Sequence, residues 1–226
     1  MKKLALACIG VLITMSAFSM PALAGEKVVK RVPAGAVAFH FVYDLSFVTG
    51  DFVGYVAFIE GVDGDSNGDL FNGEPSENTA YFTFRLTKPV PAQIPLPVPD
   101  TNLAATLLVP GAQATFYFND DPQGRDWNNP ATFEQGVAIA VLDESALLNT
   151  RAEGAFPFVA FNTFSARVID TTPIDFNGQR IDFKKLVPNG VTVTNFGNGI
   201  RFAADGLPGA SGGATAIAIG GKLRDK

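Results

Sequence analysis

The chain has 226 residues, 47% of them apolar, 17% charged and 11% aromatic, with 23 glycines, 15 prolines, one cysteine and a net charge of −5. That composition excludes disorder, collagen, coiled coil and a disulfide-stapled miniprotein. An acidic chain has no attraction for nucleic acid or for anionic membrane surfaces, so neither is expected as a partner.

The first 24 residues read as a secretory signal. Lys2 and Lys3 precede an apolar run from Leu4 to about Phe18, and Pro21-Ala22-Leu23-Ala24 ends in a small-x-small cleavage site before Gly25. Cleavage there leaves 202 residues, removes two lysines and takes the net charge to −7. The mature chain then holds no cysteine, because Cys8 goes with the signal; it is expected in the periplasm, in the medium or on the cell surface. No later segment approaches the length of a membrane helix. Residues 25–226 are expected to form one β domain.

Short apolar runs bounded by Gly, Pro, Asn and Asp follow in series: Ala36–Tyr43, Gly54–Ile59 and Ala80–Leu86 come first. Such spacing is the mark of an all-β chain. Between the second and third runs lies Asp63-Gly64-Asp65-Ser66-Asn67-Gly68-Asp69-Leu70-Phe71-Asn72-Gly73-Glu74. This stretch resembles the calcium loop of the EF-hand family. The resemblance implies Asp63, Asp65 and Asn67 as the first oxygen ligands, Gly68 at the sharp turn, the Asp69 carbonyl as a further ligand and Glu74 as the closing carboxylate. A hard cation wants six to eight oxygens, and alternate residues of a tight loop supply them. The setting departs from the family, because strands flank the loop and Pro75 disfavours an exiting helix. Glu60 or Glu77 could close the site instead. Six carboxylates between Glu60 and Glu77 would repel one another without a counter-ion, so Ca2+ is the expected cofactor. The competing reading is an acidic hairpin tip without an ion.

Residues 88–99 carry prolines at 89, 91, 95, 97 and 99, which bar a helix or a central strand. They are expected to be extended chain crossing between two sheets; a split into lobes 25–87 and 100–226 is the alternative. Further on, Asn119–Pro130 is a polar loop holding the one tryptophan. Asp126, Trp127 and Asn128 are its candidate ligand-binding residues: an aromatic face can stack on a sugar while its neighbours bond hydroxyls. A glycan or an extracellular protein is the partner this implies.

The remaining runs are Ala114–Asn119, Val137–Leu142, Phe158–Ile169, Ile174–Phe183, Val191–Asn195, Ile200–Ala203 and Ala214–Ile219. Asn177-Gly178 predicts a two-residue hairpin turn. Glu144–Leu148, with Asp143 as N-cap, is the one short helix expected. About ten strands and little helix point to an antiparallel β-sandwich of jelly-roll kind. Runs alternating small with large apolar residues, such as Ala214–Ile219, also suit strands covered on both faces.

No catalytic residue is assigned. His40 lies in an apolar strand without Cys, His or Ser partners and reads as structural. A two-carboxylate glycosidase needs no motif, and nothing selects a pair from Asp126, Glu134, Asp143, Glu144 and Glu153. The reading is therefore a non-catalytic, exported binding or structural module with a calcium loop. A carbohydrate-active β protein and a small outer-membrane barrel are the alternatives; the second is opposed by 20 Phe against 4 Tyr and 1 Trp.

Overall fold

The computed structural model describes residues 27–46, 50, 52–62, 70–87, 93–96, 103–108, 112–145, 147–152, 159–202 and 208–220. For residues 27, 87, 93–96, 103–108, 147–152, 159–160, 196–202 and 208–210 the description is of the backbone alone. The signal segment 1–24, four of the proposed calcium ligands (Asp63, Asp65, Asn67 and Asp69) and Glu153 lie outside the described residues.

The strands are β1 (Lys27–Val28), β2 (Val37–Ser46), β3 (Phe52–Ile59), β4 (Phe82–Thr87), β5 (Gln93–Leu96), β6 (Leu103–Leu108), β7 (Gln113–Phe118), β8 (Val137–Glu144), β9 (Leu147–Ala152), β10 (Val159–Thr171), β11 (Ile174–Phe176), β12 (Gln179–Ile181), β13 (Val191–Phe202) and β14 (Pro208–Ala218). A one-turn helix, α1 (Phe183–Leu186), precedes β13. The expected sandwich is overturned, although the all-β class holds. Eight antiparallel strands in the order β13-β14-β2-β3-β4-β7-β8-β10 close into a barrel, because β10 also pairs with β13. Closure rests on the length of β10: its first half, Val159–Ala166, pairs with β13, while Ala166–Thr171 pairs with β8. Irregularities at His40/Phe41, Phe116/Tyr117, Val168/Asp170, Gly197/Ile200 and Ala216/Ile217 add local twist, which coils one sheet until its ends meet.

The lumen is a phenylalanine core. Phe39, Phe41, Phe84 and Phe116 are buried, and Phe41 meets the other three, at 5.9 Å from Phe39, 5.4 Å from Phe84 and 5.7 Å from Phe116. Gly54 is required beside them: a Cβ there would lie 2.0 Å from the Val42 carbonyl oxygen and within 3 Å of the Phe84 ring. The alternation of small with large apolar residues along β14 reflects this taper, since Ala214, Ala216 and Ala218 face the crowded interior.

The segment between β10 and β13 plugs one end. Asn177 and Gly178 both take positive φ, 48° and 71°, as the expected two-residue turn requires. β12 then leads into α1, whose N-cap Asp182 accepts from the Lys184 and Lys185 backbone N–H groups. Phe183 stacks on Phe39 at 5.3 Å, and Phe176 packs on Phe82 at 5.1 Å, which closes the floor.

Past the other end the wall continues on one side. β9 prolongs β8 along β10, β6 prolongs β7 along β9, and β5 lies outermost. Two expectations fail here. Gln93–Leu96 is a strand of the same sheet, not a crossover between sheets; as an edge strand bonded to β6 it tolerates Pro95, which has no N–H to donate outward. The barrel takes β2, β3 and β4 from before the proline segment and its other five strands from after it. The helix expected at Glu144–Leu148 is also absent, since Asp143 and Glu144 end β8 while Leu147 and Leu148 begin β9. Ladder pairing to β10 and β6 satisfies more backbone groups than one isolated turn could.

Outside β4, the 3-10 helix Pro130–Glu134 covers the wall with Phe133, which is fully buried. Thr83 faces it, and its hydroxyl donates to the Phe133 carbonyl at 2.7 Å. Thr83→Val keeps the shape and orphans that carbonyl, so it is expected to cost about 1–2 kcal/mol in chemical denaturation, while Thr83→Ser keeps most of the stability.

Candidate functional site

The two loops selected from the sequence emerge at the plugged end of the barrel and are built into each other. The β3–β4 connection returns through Leu70 and Phe71, both buried, and Phe71 bridges to Ala80. The Asn72 N–H donates to the Thr79 carbonyl at 2.7 Å, and the Thr79 hydroxyl donates to the Glu74 carbonyl at 2.6 Å. The return arm of the acidic loop is thus a tight hairpin. Glu74, the expected closing carboxylate, is exposed on it.

Arg125, from the β7–β8 connection, clasps that hairpin. It is only 4% exposed. Its Nη1 donates to the carbonyls of Glu77 and Ala80, both at 2.7 Å, and its backbone N–H donates to Asn78 Oδ1 at 2.7 Å. Burial lowers its pKa to about 10. Nε and Nη2 have no partner, so the cation uses only part of its donor set while setting a positive charge beside the acidic loop. Sequence reasoning passed over Arg125, since one arginine among polar loop residues carries no periodic or motif signal.

The aromatic rings form a second joint. Trp127 lies 4.7 Å from Phe133 and 6.2 Å from Tyr55, and Tyr55 meets Phe71 edge-on at 5.8 Å. The tryptophan is half-buried against the barrel wall. On either side of it, Asp126 and Asn128 bond each other: Asp126 Oδ1 accepts from the Asn128 N–H at 2.9 Å and from Nδ2 at 3.0 Å. This turn holds the Trp127 ring in place. Among the described residues, no three His, Cys, Asp or Glu side chains converge on a common point.

The carboxylates considered for glycosidase chemistry go separate ways. Glu134 pairs with Arg85, and Asp143 pairs with Arg167 at 3.2 Å on the outer wall. Glu144, the next residue along β8, points inward, as alternation in a strand demands. His40 faces outward, with Nδ1 at 3.1 Å from the Thr215 hydroxyl, a structural contact between β2 and β14.

At the open end the lumen retains a cavity of about 40 Å3 among Phe41, Phe52, Phe84, Phe116, Phe164 and Leu142. Two polar side chains also line it, Glu144 and Asn195. Asn195 Oδ1 accepts from Asn162 Nδ2 at 2.6 Å. Glu144 is 7% exposed, and its carboxyl makes no hydrogen bond among the described residues. Desolvation, with a lesser push from Asp143, raises its pKa to about 8. No protein-family profile matches the chain, and no curated protein or solved structure is significantly similar to it.

Proposed function

We propose that this chain is an exported, non-catalytic binding barrel whose plugged end is one composite surface, formed by the β3–β4 and β7–β8 connections and ordered by calcium. The observation that carries the reading is the Arg125 clasp, which ties the acidic loop to the tryptophan loop through two carbonyls. An ion held by Asp63, Asp65, Asn67, the Asp69 carbonyl and Glu74 would stiffen a hairpin on which Arg125 and Trp127 depend. The charge argument favours it too, since Arg125 offsets only one of six carboxylates.

The test is a thermal melt of residues 25–226 in EGTA and in calcium, followed by Trp127 emission. Calcium at ten times its Kd is expected to add about 1.4 kcal/mol, because it binds the folded state alone, and to shift the emission. Asp63→Ala with Asp65→Ala should abolish both effects. Equal melts with and without calcium would reduce the loop to an acidic tip.

Glycan contact through Trp127 is the second reading, favoured by a ring fixed at the surface and left half-exposed by the Asp126–Asn128 turn. Emission changes across a glycan panel test it directly. The closed sheet meets the geometric condition for an outer-membrane barrel, the third reading, and its outer wall is of mixed polarity. The lumen is lined by phenylalanine, and outward positions mix Thr163, Ser165, Arg167, Thr192, Thr194 and Thr215 with the exposed Val37, Val137, Phe161, Ile169 and Ile217, of which Val37 and Ile217 are cross-strand partners. A lipid-facing wall needs a continuous apolar band.

A further inference from the structure

An asparagine followed by glycine is open to attack by its own backbone, because no Cβ shields the glycine nitrogen from the asparagine side-chain carbonyl. The chain carries such pairs at residues 67–68, 72–73, 177–178, 189–190 and 198–199, and of their asparagine side chains those of Asn72, Asn177 and Asn189 are described. The fold treats these three differently. Asn189 is held: its Nδ2 donates to the Gly220 carbonyl, the Gly190 N–H donates to the Val187 carbonyl at 2.9 Å, and Gly190 is buried so tightly that a Cβ there would clash with the Ala166 carbonyl. Asn177 is exposed, but its turn is clamped by the Phe176–Gln179 ladder pair, with both central residues fixed at positive φ. Asn72 has neither restraint. Asn72 and Gly73 are both exposed, the Asn72 side chain and the Gly73 N–H make no hydrogen bond among the described residues, and a Cβ on Gly73 would meet nothing within 4 Å. Gly73 is thus an unbonded link between two fixed points, the Asn72 N–H on the Thr79 carbonyl and the Glu74 carbonyl on the Thr79 hydroxyl.

We propose that Asn72 is a spontaneous modification site, at which the folded chain converts asparagine to aspartate and isoaspartate with water as the co-reactant. The Gly73 nitrogen gives up its proton to solvent base and attacks Asn72 Cγ. The bond from Cγ to Nδ2 breaks, ammonia leaves with a proton returned by solvent, and a succinimide ring closes. Water then opens the ring. Addition at the side-chain carbonyl restores the original peptide bond and leaves a side-chain carboxylate; addition at the main-chain carbonyl frees the α-carboxylate and routes the backbone through Cβ and Cγ. Either way one water is consumed and one ammonia released, and nothing is oxidised or reduced. Both products add a negative charge to a connection that already carries six carboxylates between Glu60 and Glu77. Isoaspartate also inserts a methylene into the backbone between the Asn72 N–H and the carbonyls of Glu77 and Ala80 that Arg125 holds. The pair of loops joined by Arg125 therefore changes in charge and in hairpin length as the molecule ages.

The experiment incubates folded residues 25–226 in EGTA between pH 6 and pH 9 and follows each asparagine by peptide mass mapping, with isoaspartate identified by isoaspartyl methyltransferase labelling. Conversion is expected first at Asn72, and faster at higher pH because the attacking nitrogen must lose its proton. Asn177 should follow more slowly. Asn189 should convert at least about tenfold more slowly than Asn72, since Gly190 has to open locally before it reacts. The same chain unfolded in guanidinium chloride should convert all three at similar rates, because nothing then restrains one Asn-Gly pair more than another. Conversion of Asn177 or Asn189 as fast as Asn72 in the folded chain, or the same order of rates folded and unfolded, would overturn the proposal. EGTA makes the outcome independent of any ion in the acidic loop, so the calcium melt stands or falls separately.

Discussion

Raising the pH from 5 to 9 is expected to destabilise the protein by about 4 kcal/mol, and Glu144→Gln is expected to remove most of that loss. Glu144 has a folded pKa of about 8 against an ordinary value of 4.5, because burial in the phenylalanine lumen penalises its charged form and Asp143 adds a smaller repulsion. Between those values the unfolded chain has released a proton that the folded chain still holds. The stability tied to that proton is whole below about pH 4.5 and is lost as the pH rises through 8. At 7% exposure, solvent screens little of it. Urea midpoints at pH 5, 7 and 9 read the effect, and a flat profile for the wild type would mean that Glu144 reaches water. Tyr43, pushed up to about 12 by burial, stays neutral throughout this range and does not obscure the result.

Arg125→Ala is expected to cost about 3 kcal/mol and to loosen both loops at once. The side chain donates to two carbonyls, that of Ala80 buried and that of Glu77 partly so, and bonds from a charged donor are worth about 1.5–3 kcal/mol each. Two unused guanidinium nitrogens and the desolvation that lowers its pKa hold the total to the low end of that sum. Arg125→Lys should recover less than half, because Nη1 alone reaches both the Glu77 and Ala80 carbonyls and a lysine chain ends one bond short of that position. Equilibrium denaturation measures the cost, and Trp127 emission reports the loosening. A loss under about 1 kcal/mol with unchanged emission would show that the aromatic joint of Tyr55, Phe71, Trp127 and Phe133 holds the loops by itself.

Much of the fold was legible because β structure writes a local signal. The runs at Ala36–Tyr43, Gly54–Ile59, Ala80–Leu86, Ala114–Asn119 and Val137–Leu142 correspond to β2, β3, β4, β7 and β8, and Asn177-Gly178 makes the turn its residues require. The errors fell where the partner strand decides. Glu144–Leu148 has a helix-like composition, yet β6 and β10 offer it ladder bonds. Gln93–Leu96 carries a proline, yet an outer edge accepts one. Val191–Asn195 and Ile200–Ala203 read as separate runs, but residues 191–202 form one long β13, whose ladder to β14 shifts register between Gly197 and Ile200.

By itself the sequence determined the all-β class, the strand series, the tight hairpin and the placement of acidic and tryptophan loops between strands. Those features depend on residues within a few positions of one another. The tertiary structure decided barrel over sandwich, because closure depends on β10 meeting both β8 and β13 across long separations. It also decided that two loops some fifty residues apart share Arg125, and that Glu144 faces an apolar lumen while Asp143 faces water. Which side of a strand becomes the inside is set by the sheet that closes around it, and no local pattern along Asp143-Glu144 carries that information.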